Sequence, residues 1–143
     1  MKINKASTFG IEAGAMSSAS RHQVELPNYL AEFFDDLSRA TELVTVRLPG
    51  GSTYPRPFVY RGTDYGQWTE QWRLHLPTVE MGGLDYPGKI LKFVRLHEGG
   101  SALYELAVIE PGSSEAAQLE IEAKKARTLG STGSSQGRQY GYW

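Results

Sequence analysis

The stretch KILKFVRLHEGGSALYELAVI, residues 89–109, decides the fold of this chain. Residues 89–96 and 103–109 are two largely apolar runs, and residues 97–101 between them contain the pair Gly99-Gly100. Two strand-like runs joined by a short glycine-containing connection are typical of a β-hairpin. We therefore predict an antiparallel hairpin here, within a mainly β domain.

Other short strands are predicted on the N-terminal side of this hairpin. Apolar and polar residues alternate along residues 43–48 and again along residues 67–76, which is the period of a half-buried strand. The predicted strands are 22–26, 43–48, 58–60 and 67–76. The small-residue run Gly10–Ser20 is predicted as a long loop, and loops of this kind often carry function.

Two segments have helical patterns. Leu30, Phe33, Phe34 and Leu37 recur at helical spacing after Pro27, which predicts a helix over residues 28–38. Residues 114–126 have a helix-forming composition. The fold class that follows is α+β, mainly β: a small open pseudobarrel of about seven strands, mostly antiparallel, with one or two short helices. We expect one domain over residues 1–127 and a Gly/Ser-rich linker or C-terminal tail over residues 128–143.

Composition excludes several classes of protein. The chain has 143 residues, of which 40% are hydrophobic and none is cysteine, so disulfide frameworks and thiol chemistry are excluded. The three histidines lie far apart in the sequence, and no run of 18 apolar residues is present. We expect an intracellular protein with no bound metal, no cofactor and no membrane partner.

Charge is segregated along the chain although the net charge is −1. Residues 1–24 and 47–97 carry net charges of +2 and +3, and residues 123–143 carry +4. Residues 25–46 and 98–122 carry −4 and −6. A locally positive face can therefore coexist with a near-neutral sum, and a polyanion responds to that local field. Ordinary mixing of surface charges is the alternative interpretation.

Motifs for catalysis are lacking. Glu122-Ala123-Lys124 matches half of a metal-dependent nuclease motif, but a Pro-Asp strand end is missing upstream. Such a triplet is common in charged helices, and short motifs match often by chance. No Gly-x-Ser-x-Gly elbow and no phosphate-binding glycine loop occurs in the sequence. We predict that this chain has no catalytic residues and is not itself an enzyme.

Residues 61–75 are rich in side chains that can recognise DNA bases. Arginine pairs with guanine, glutamine pairs with adenine, and a carboxylate can accept from cytosine in the major groove. One face of the predicted strand carries Gln71, Arg73 and His75. Trp72 lies on the opposite face and is expected to anchor the strand to the core. A solvent-facing strand with ordinary polar residues is the alternative of equal weight.

Three stretches together resemble the B3-like DNA-binding pseudobarrel domains of restriction endonucleases, in particular the EcoRII-type effector domains. The first is Arg21-His22-Gln23-Val24-Glu25-Leu26-Pro27, which precedes a Phe-rich helix. The second is Trp72-Arg73-Leu74-His75-Leu76, and the third is Pro87-Gly88-Lys89-Ile90-Leu91-Lys92-Phe93. The resemblance covers roughly residues 5–110.

The resemblance implies that two arms enter the major groove of double-stranded DNA, one around residues 17–23 and one over residues 61–75. It implies these base-reading residues: Arg21, His22, Gln23, Arg61, Asp64, Gln67, Gln71, Arg73 and His75. Phosphate contacts are expected from the basic tail and from Lys5, Ser18, Ser20, Lys89 and Lys92, while the acidic segment 98–122 is expected to face away from DNA. The second arm differs from the EcoRII type, which is rich in Arg and Lys, because here it is rich in Gln, Thr and Trp.

The resemblance further implies a specificity module of a prokaryotic, cytoplasmic restriction enzyme, monomeric when isolated. Residues 137–143 resemble the terminus of the C-terminal domains of phospholipase-D-type restriction enzymes. Alternatively, the chain is an N-terminal module that ends at a linker beginning near Thr128. In both cases the nuclease centre lies outside these residues, and a fused metal-dependent nuclease domain is one candidate partner that would carry it.

Two other functions are compatible with the sequence. In a non-catalytic protein-interaction or structural domain, Tyr65, Trp68 and Trp72 would form a protein-binding patch. In an OB-like binder of single-stranded nucleic acid, the tryptophans would stack on bases without preference for a duplex.

Overall fold

A computed structural model describes five parts of the chain: residues 1–16, 21–34, 41–61, 71–133 and 137–143. The side chains of Thr41, Glu42 and Arg61 fall outside this description. Strands are the main element of the described residues, and they form a curled, open half-barrel sheet with two short helices. The predicted fold class, a mainly β open pseudobarrel, is therefore confirmed.

The described residues form nine strands and two α-helices. The strands are β1 (Thr8–Glu12), β2 (Gln23–Pro27), β3 (Thr41–Arg47), β4 (Thr53–Arg61), β5 (Gln71–His75), β6 (Ile90–Glu98), β7 (Ser101–Ile109), β8 (Gly130–Ser131) and β9 (Gln139–Tyr142). The helices are α1 (Asn28–Ala31) and α2 (Ser114–Ala126), and short 3-10 helices span Ile3–Lys5, Glu32–Phe34 and Val79–Met81. The strand order in the sheet is β2-β5-β4-β3-β7-β6-β1-β9-β8, and every neighbouring pair except β3–β7 is antiparallel.

The hairpin predicted from residues 89–109 is the β6–β7 pair. Its register runs without interruption from Ile90 opposite Ile109 to Glu98 opposite Ser101. Gly99 and Gly100 join the strands with φ values of +59° and +84°. Only glycine adopts this left-handed region without steric cost, which explains the Gly-Gly pair at the turn.

The prediction of a loop over residues 10–20 is wrong for its first part. Residues 8–12 form β1, which lies between β6 and β9 and buries Phe9 and Ile11 completely. Gly10 lies opposite Lys92, and a side chain there would reach Leu119 of α2. Gly10 and the small residues that follow β1 are typical of a loop, so the sequence pattern did not predict this strand. The signal for a strand is the pair Phe9 and Ile11, which are two positions apart and lie on the same face.

The C-terminal segment, expected as a linker or tail over residues 128–143, supplies β8 and β9 to the sheet. Phe9 lies opposite Tyr142 and Ile11 opposite Tyr140. Gly141 fits closely against Ala123 of α2, where a Cβ atom on residue 141 would clash. The sheet therefore contains nine strands instead of about seven, and the strands that were not predicted are β1 and, from this segment, β8 and β9.

The first predicted helix, residues 28–38, begins as predicted at Asn28 and continues as the 3-10 turn Glu32–Phe34. Residues 35–38 of that prediction lie outside the described residues. The second helix has the predicted bounds, and Ser113 caps it by accepting a hydrogen bond from the amide of Ala116 at 3.1 Å.

Aromatic rings fill the centre of the half-barrel. Phe34 packs its ring against those of Phe58, Phe93 and Tyr104, with centroids 4.9–5.6 Å apart. Trp72 is 2% exposed, stacks on Phe58 and donates from its indole nitrogen to Oδ1 of Asn28 at 2.8 Å. The prediction that Trp72 anchors its strand to the core is confirmed. In the described parts of the chain, no helix is long and apolar enough to cross a bilayer.

Candidate nucleic-acid interface

The pairing of β2 with β5 brings residues from two distant parts of the sequence onto one surface. Gln23 lies opposite His75, Glu25 opposite Arg73, and Pro27 opposite Gln71. These six side chains share the outer face and are each half-buried, whereas the alternating residues Val24, Leu26, Trp72 and Leu74 are buried in the core. The period of two along both strands therefore places four predicted base-reading residues on one face.

The outer face contains an ion pair and buried polar atoms without a hydrogen-bond partner among the described residues. Arg73 Nη2 lies 3.0 Å from Oε1 of Glu25, and the two side chains are 28% and 43% exposed. Gln71 Oε1 and Arg73 Nε are shielded from water and make no hydrogen bond within the described residues. Each such atom costs about 1–3 kcal/mol, and sites of this kind in native proteins commonly have a functional explanation.

A groove of about 1120 Å³ runs along this face. One wall is the outer face of β2 and β5, and the other consists of residues 12–16, the turn at Gly88-Lys89 and parts of the segment 132–138. Four residues predicted to contact DNA line it: Gln23, Gln71, Arg73 and Lys89. None of the acidic residues in 98–122, a segment described in full, lines the groove.

The β2–β5 pair joins the described parts of the two predicted arms. The first arm, residues 17–23, ends at Gln23 beside His75, and β5 is the last part of the second arm, residues 61–75. Gln23 and Gln71 lie at opposite ends of the pair, about 14 Å apart along the strands at a rise of about 3.4 Å per residue.

The two other residues predicted for the first arm lie outside the groove wall. Arg21 Nη2 is 3.1 Å from Oδ1 of Asp85, and both side chains are more than half exposed. His22 packs its ring edge-on against Tyr86, with centroids 6.0 Å apart, while its carbonyl accepts from the amide of Leu76. His75 shares the outer face of β5 but is likewise not part of the groove wall.

The structure separates the lysines that were predicted together as phosphate contacts. Lys89 lines the groove, and its Nζ donates to both carboxylate oxygens of Glu110 at 2.7 and 2.9 Å. This pairing raises the pKa of Lys89, so the side chain stays charged at neutral pH. Lys5 lies in the first 3-10 helix and Lys92 lies opposite Gly10 and Ala107 on β6, and neither lines the groove.

Several predicted residues lie outside the description of the structure. Ser18, Ser20, Asp64 and Gln67 belong to this group, as do Tyr65 and Trp68 of the alternative aromatic patch, and the side chain of Arg61. Trp72, the third member of that patch, is buried in the core and cannot be part of an exposed surface.

Sequence reasoning named the basic tail only as a whole and missed the role of Arg138. Arg138 Nη2 donates to the backbone carbonyl of Glu25, so the segment preceding β9 contacts β2 at the opposite end of the strand order. Burial lowers the pKa of Arg138 from its ordinary value. The amide of Gln139 donates to Glu12 Oε1, and the ring of Tyr140 lies 6.1 Å from that of Tyr29. The one sequence signal for the contact between Arg138 and Glu25 is that Arg138 is a single charged residue within a Gly/Ser-rich segment.

A scan of protein-family models and a search of curated proteins both return no match to this chain.

Proposed function

We propose that this chain is a DNA-recognition domain that binds a short double-stranded site through the major groove. The observation that carries the proposal is the convergence of Gln23, Gln71 and Arg73, which are up to 50 residues apart in sequence, on one outer strand face beside the groove. The base edges of the major groove carry the donors and acceptors that side chains of these types recognise.

The residue types on this face match the chemistry of base edges. A glutamine side chain can pair with N6 and N7 of adenine, and an arginine side chain can pair with O6 and N7 of guanine. Both side chains are half-buried on the groove face, and Gln71 Oε1 and Arg73 Nε make no hydrogen bond within the described residues.

Phosphate contacts are assigned to Lys89 and Arg138, which line the groove on the side facing β2 and β5. The carboxylates of Glu12 and Glu25 line the same groove and offset much of its positive charge. Because charge contacts dominate binding to DNA of any sequence, a nearly neutral groove predicts weak non-specific affinity and a high ratio of specific to non-specific affinity.

In this proposal the domain is the specificity module of a prokaryotic restriction endonuclease and acts as a monomer. Recognition belongs to this chain, and DNA cleavage belongs to a metal-dependent nuclease domain outside it. The support is the resemblance of residues 5–110 to B3-like domains together with the open half-barrel sheet.

The test is selection of bound duplexes from a random pool, followed by titration of the selected and scrambled duplexes. Gln71→Ala is expected to weaken binding to the selected duplex by about five- to hundredfold and to relax the base preference at one position. Gln118→Ala is the matched control, because Gln118 is exposed on α2 and hydrogen-bonds Glu122 outside the groove.

Failure to bind any duplex at low salt would overturn the proposal and favour a protein-interaction domain. Preference for single strands over duplexes would favour the OB-like alternative. Equal effects of Gln71→Ala and Gln118→Ala would remove the groove from the interface.

A further inference from the structure

The ion pair between Arg73 and Glu25 is held in place from three sides. The residues are directly opposite each other in the β2–β5 register, with Arg73 Nη2 3.0 Å from Glu25 Oε1. Trp72 and Leu74 fix the backbone of Arg73 from inside the core. Arg138 donates to the backbone carbonyl of Glu25, so Glu25 contacts both arginines of the groove. The pair is therefore a fixed unit that remains partly exposed at the groove.

A fixed arginine–carboxylate pair presents N–H donors beside a carboxylate acceptor. In the major groove, a G·C pair presents the opposite order, with the acceptors N7 and O6 of guanine followed by the N4 amino donor of cytosine. Arg73 uses one Nη2 contact for Glu25, and a carboxylate oxygen has more than one lone pair. The hydrogen-bonding capacity left on the pair therefore complements one whole G·C base pair.

We infer that Arg73 and Glu25 together recognise one G·C base pair of the target, with Arg73 on guanine and Glu25 on cytosine. This inference rests on the proposed function and adds the identity of one base pair. It also gives Glu25 a second effect, because a carboxylate beside the groove repels phosphates. Glu25 therefore lowers the affinity for unrelated duplexes while it raises discrimination at one position.

The chain contains a control for the removal of a carboxylate beside an arginine. Arg47 Nη1 lies 3.0 Å from Oε1 of Glu98, and its Nη2 lies 3.0 Å from Oε2 of Glu105, so Arg47 pairs with two carboxylates. None of these three residues lines the groove. Glu25→Gln and Glu98→Gln each remove one carboxylate charge from an arginine, and only the first change lies at the groove.

The test measures the affinity of these variants and of the wild type for the selected duplex and for its single base-pair substitutions. Each position of the site is replaced in turn by each of the three other base pairs. Glu25→Gln is expected to lower the preference for one G·C pair by about ten- to hundredfold and to raise affinity for scrambled duplexes. Arg73→Ala is expected to lose preference at the same base pair. Glu98→Gln is expected to change neither quantity.

A second measurement uses the wild-type protein and does not depend on the folding of a variant. The guanines of the selected site are replaced one at a time by 7-deazaguanine, and the cytosines by 2-pyrimidinone, which lacks the 4-amino group. One G·C pair is expected at which both replacements weaken binding by tenfold or more.

Two results would overturn the inference while the proposed function stands. One is specific DNA binding in which Glu25→Gln and Arg73→Ala alter preferences at different base pairs or at none. The other is a selected site in which no G·C pair is sensitive to both base analogues. Absence of duplex binding by the wild type is a different outcome, since it overturns the proposed function itself.

Discussion

The β6–β7 hairpin and the β2–β5 pair are both antiparallel, but they differ in length, in sequence separation and in what their faces carry. The hairpin pairs nine residues of each strand across a two-residue turn. The β2–β5 pair joins five residues from each strand, and 52 positions separate Gln23 from His75 in the sequence. The hairpin buries Leu91 and Phe93 in the aromatic core, whereas the outer face of the β2–β5 pair carries the half-buried polar residues Glu25, Gln71 and Arg73 at the groove. We infer that the hairpin mainly stabilises the fold and that the short pair carries recognition.

Phe93→Ala has the largest expected effect, and it acts on stability. Phe93 is fully buried and packs on Phe34 and Phe9, with ring centroids 5.0 and 6.3 Å away. Removing a buried phenylalanine ring costs about 3–5 kcal/mol of unfolding free energy. Urea denaturation measures this loss, and Val94→Ala on the half-buried face of the same strand is the control, with a smaller loss. A loss below about 1 kcal/mol for Phe93→Ala would remove the hairpin from the stabilising core.

Arg73→Ala is expected to act on binding rather than on stability. The loss of one arginine–base contact costs about 1–3 kcal/mol at the selected site and relaxes specificity at one position. The ion pair with Glu25 is partly exposed, so its removal changes unfolding free energy by about 1 kcal/mol or less. Arg47→Ala is the control outside the groove. Fluorescence anisotropy that shows unchanged affinity for every duplex would contradict the assignment of recognition to this pair.

Gly100→Ala tests whether the hairpin turn acts on stability alone. Gly100 has φ +84°, where an alanine is strained by about 1–2 kcal/mol. Gly50→Ala is the control, because Gly50 has no positive φ and no neighbour that a Cβ would meet. Thermal unfolding is expected to show a lower melting temperature for Gly100→Ala, with the base preference of the folded protein retained. A changed base preference would show that the hairpin and the recognition face are not separate.

Lys89→Gln has the smallest expected effect. It removes one charge at the groove, so affinity should fall equally for all duplexes and the slope of log K against log salt should decrease by about one unit. Lys92→Gln is the control, since Lys92 lies away from the groove wall. Equal effects of the two substitutions would contradict the separation of these lysines by the fold.

The fold was predictable wherever the pattern was local. The Gly99-Gly100 turn and the helix over residues 114–126 follow from neighbouring residues, and the structure contains both. β1 and β9 were not predicted, because glycine and small residues obscure the alternation of apolar and polar residues in both. Both strands also depend on distant partners, since β1 pairs with β6 and with β9. A strand whose nearest partner strand lies 78–86 positions away leaves only a weak local signal.

The candidate site was predictable in residue type and face but not in its pairings. Alternation placed Gln71, Arg73 and His75 on one face, and the structure has them there. The ion pair with Glu25 and the contact from Arg138 depend on the β2–β5 register and on the curl of the sheet, neither of which is encoded locally. Lys92 was expected to contact phosphate on the basis of the resemblance, and in the fold it does not line the groove.

The most direct test of the central claim is the ratio of two affinities of the wild-type protein, measured at one salt concentration. One affinity is for a duplex selected from a random pool, and the other is for a scrambled duplex of the same composition. The groove as described predicts a ratio of about 10³ or more. A ratio near one, or no enrichment of any sequence during selection, would contradict the claim that the outer face of β2 and β5 recognises DNA.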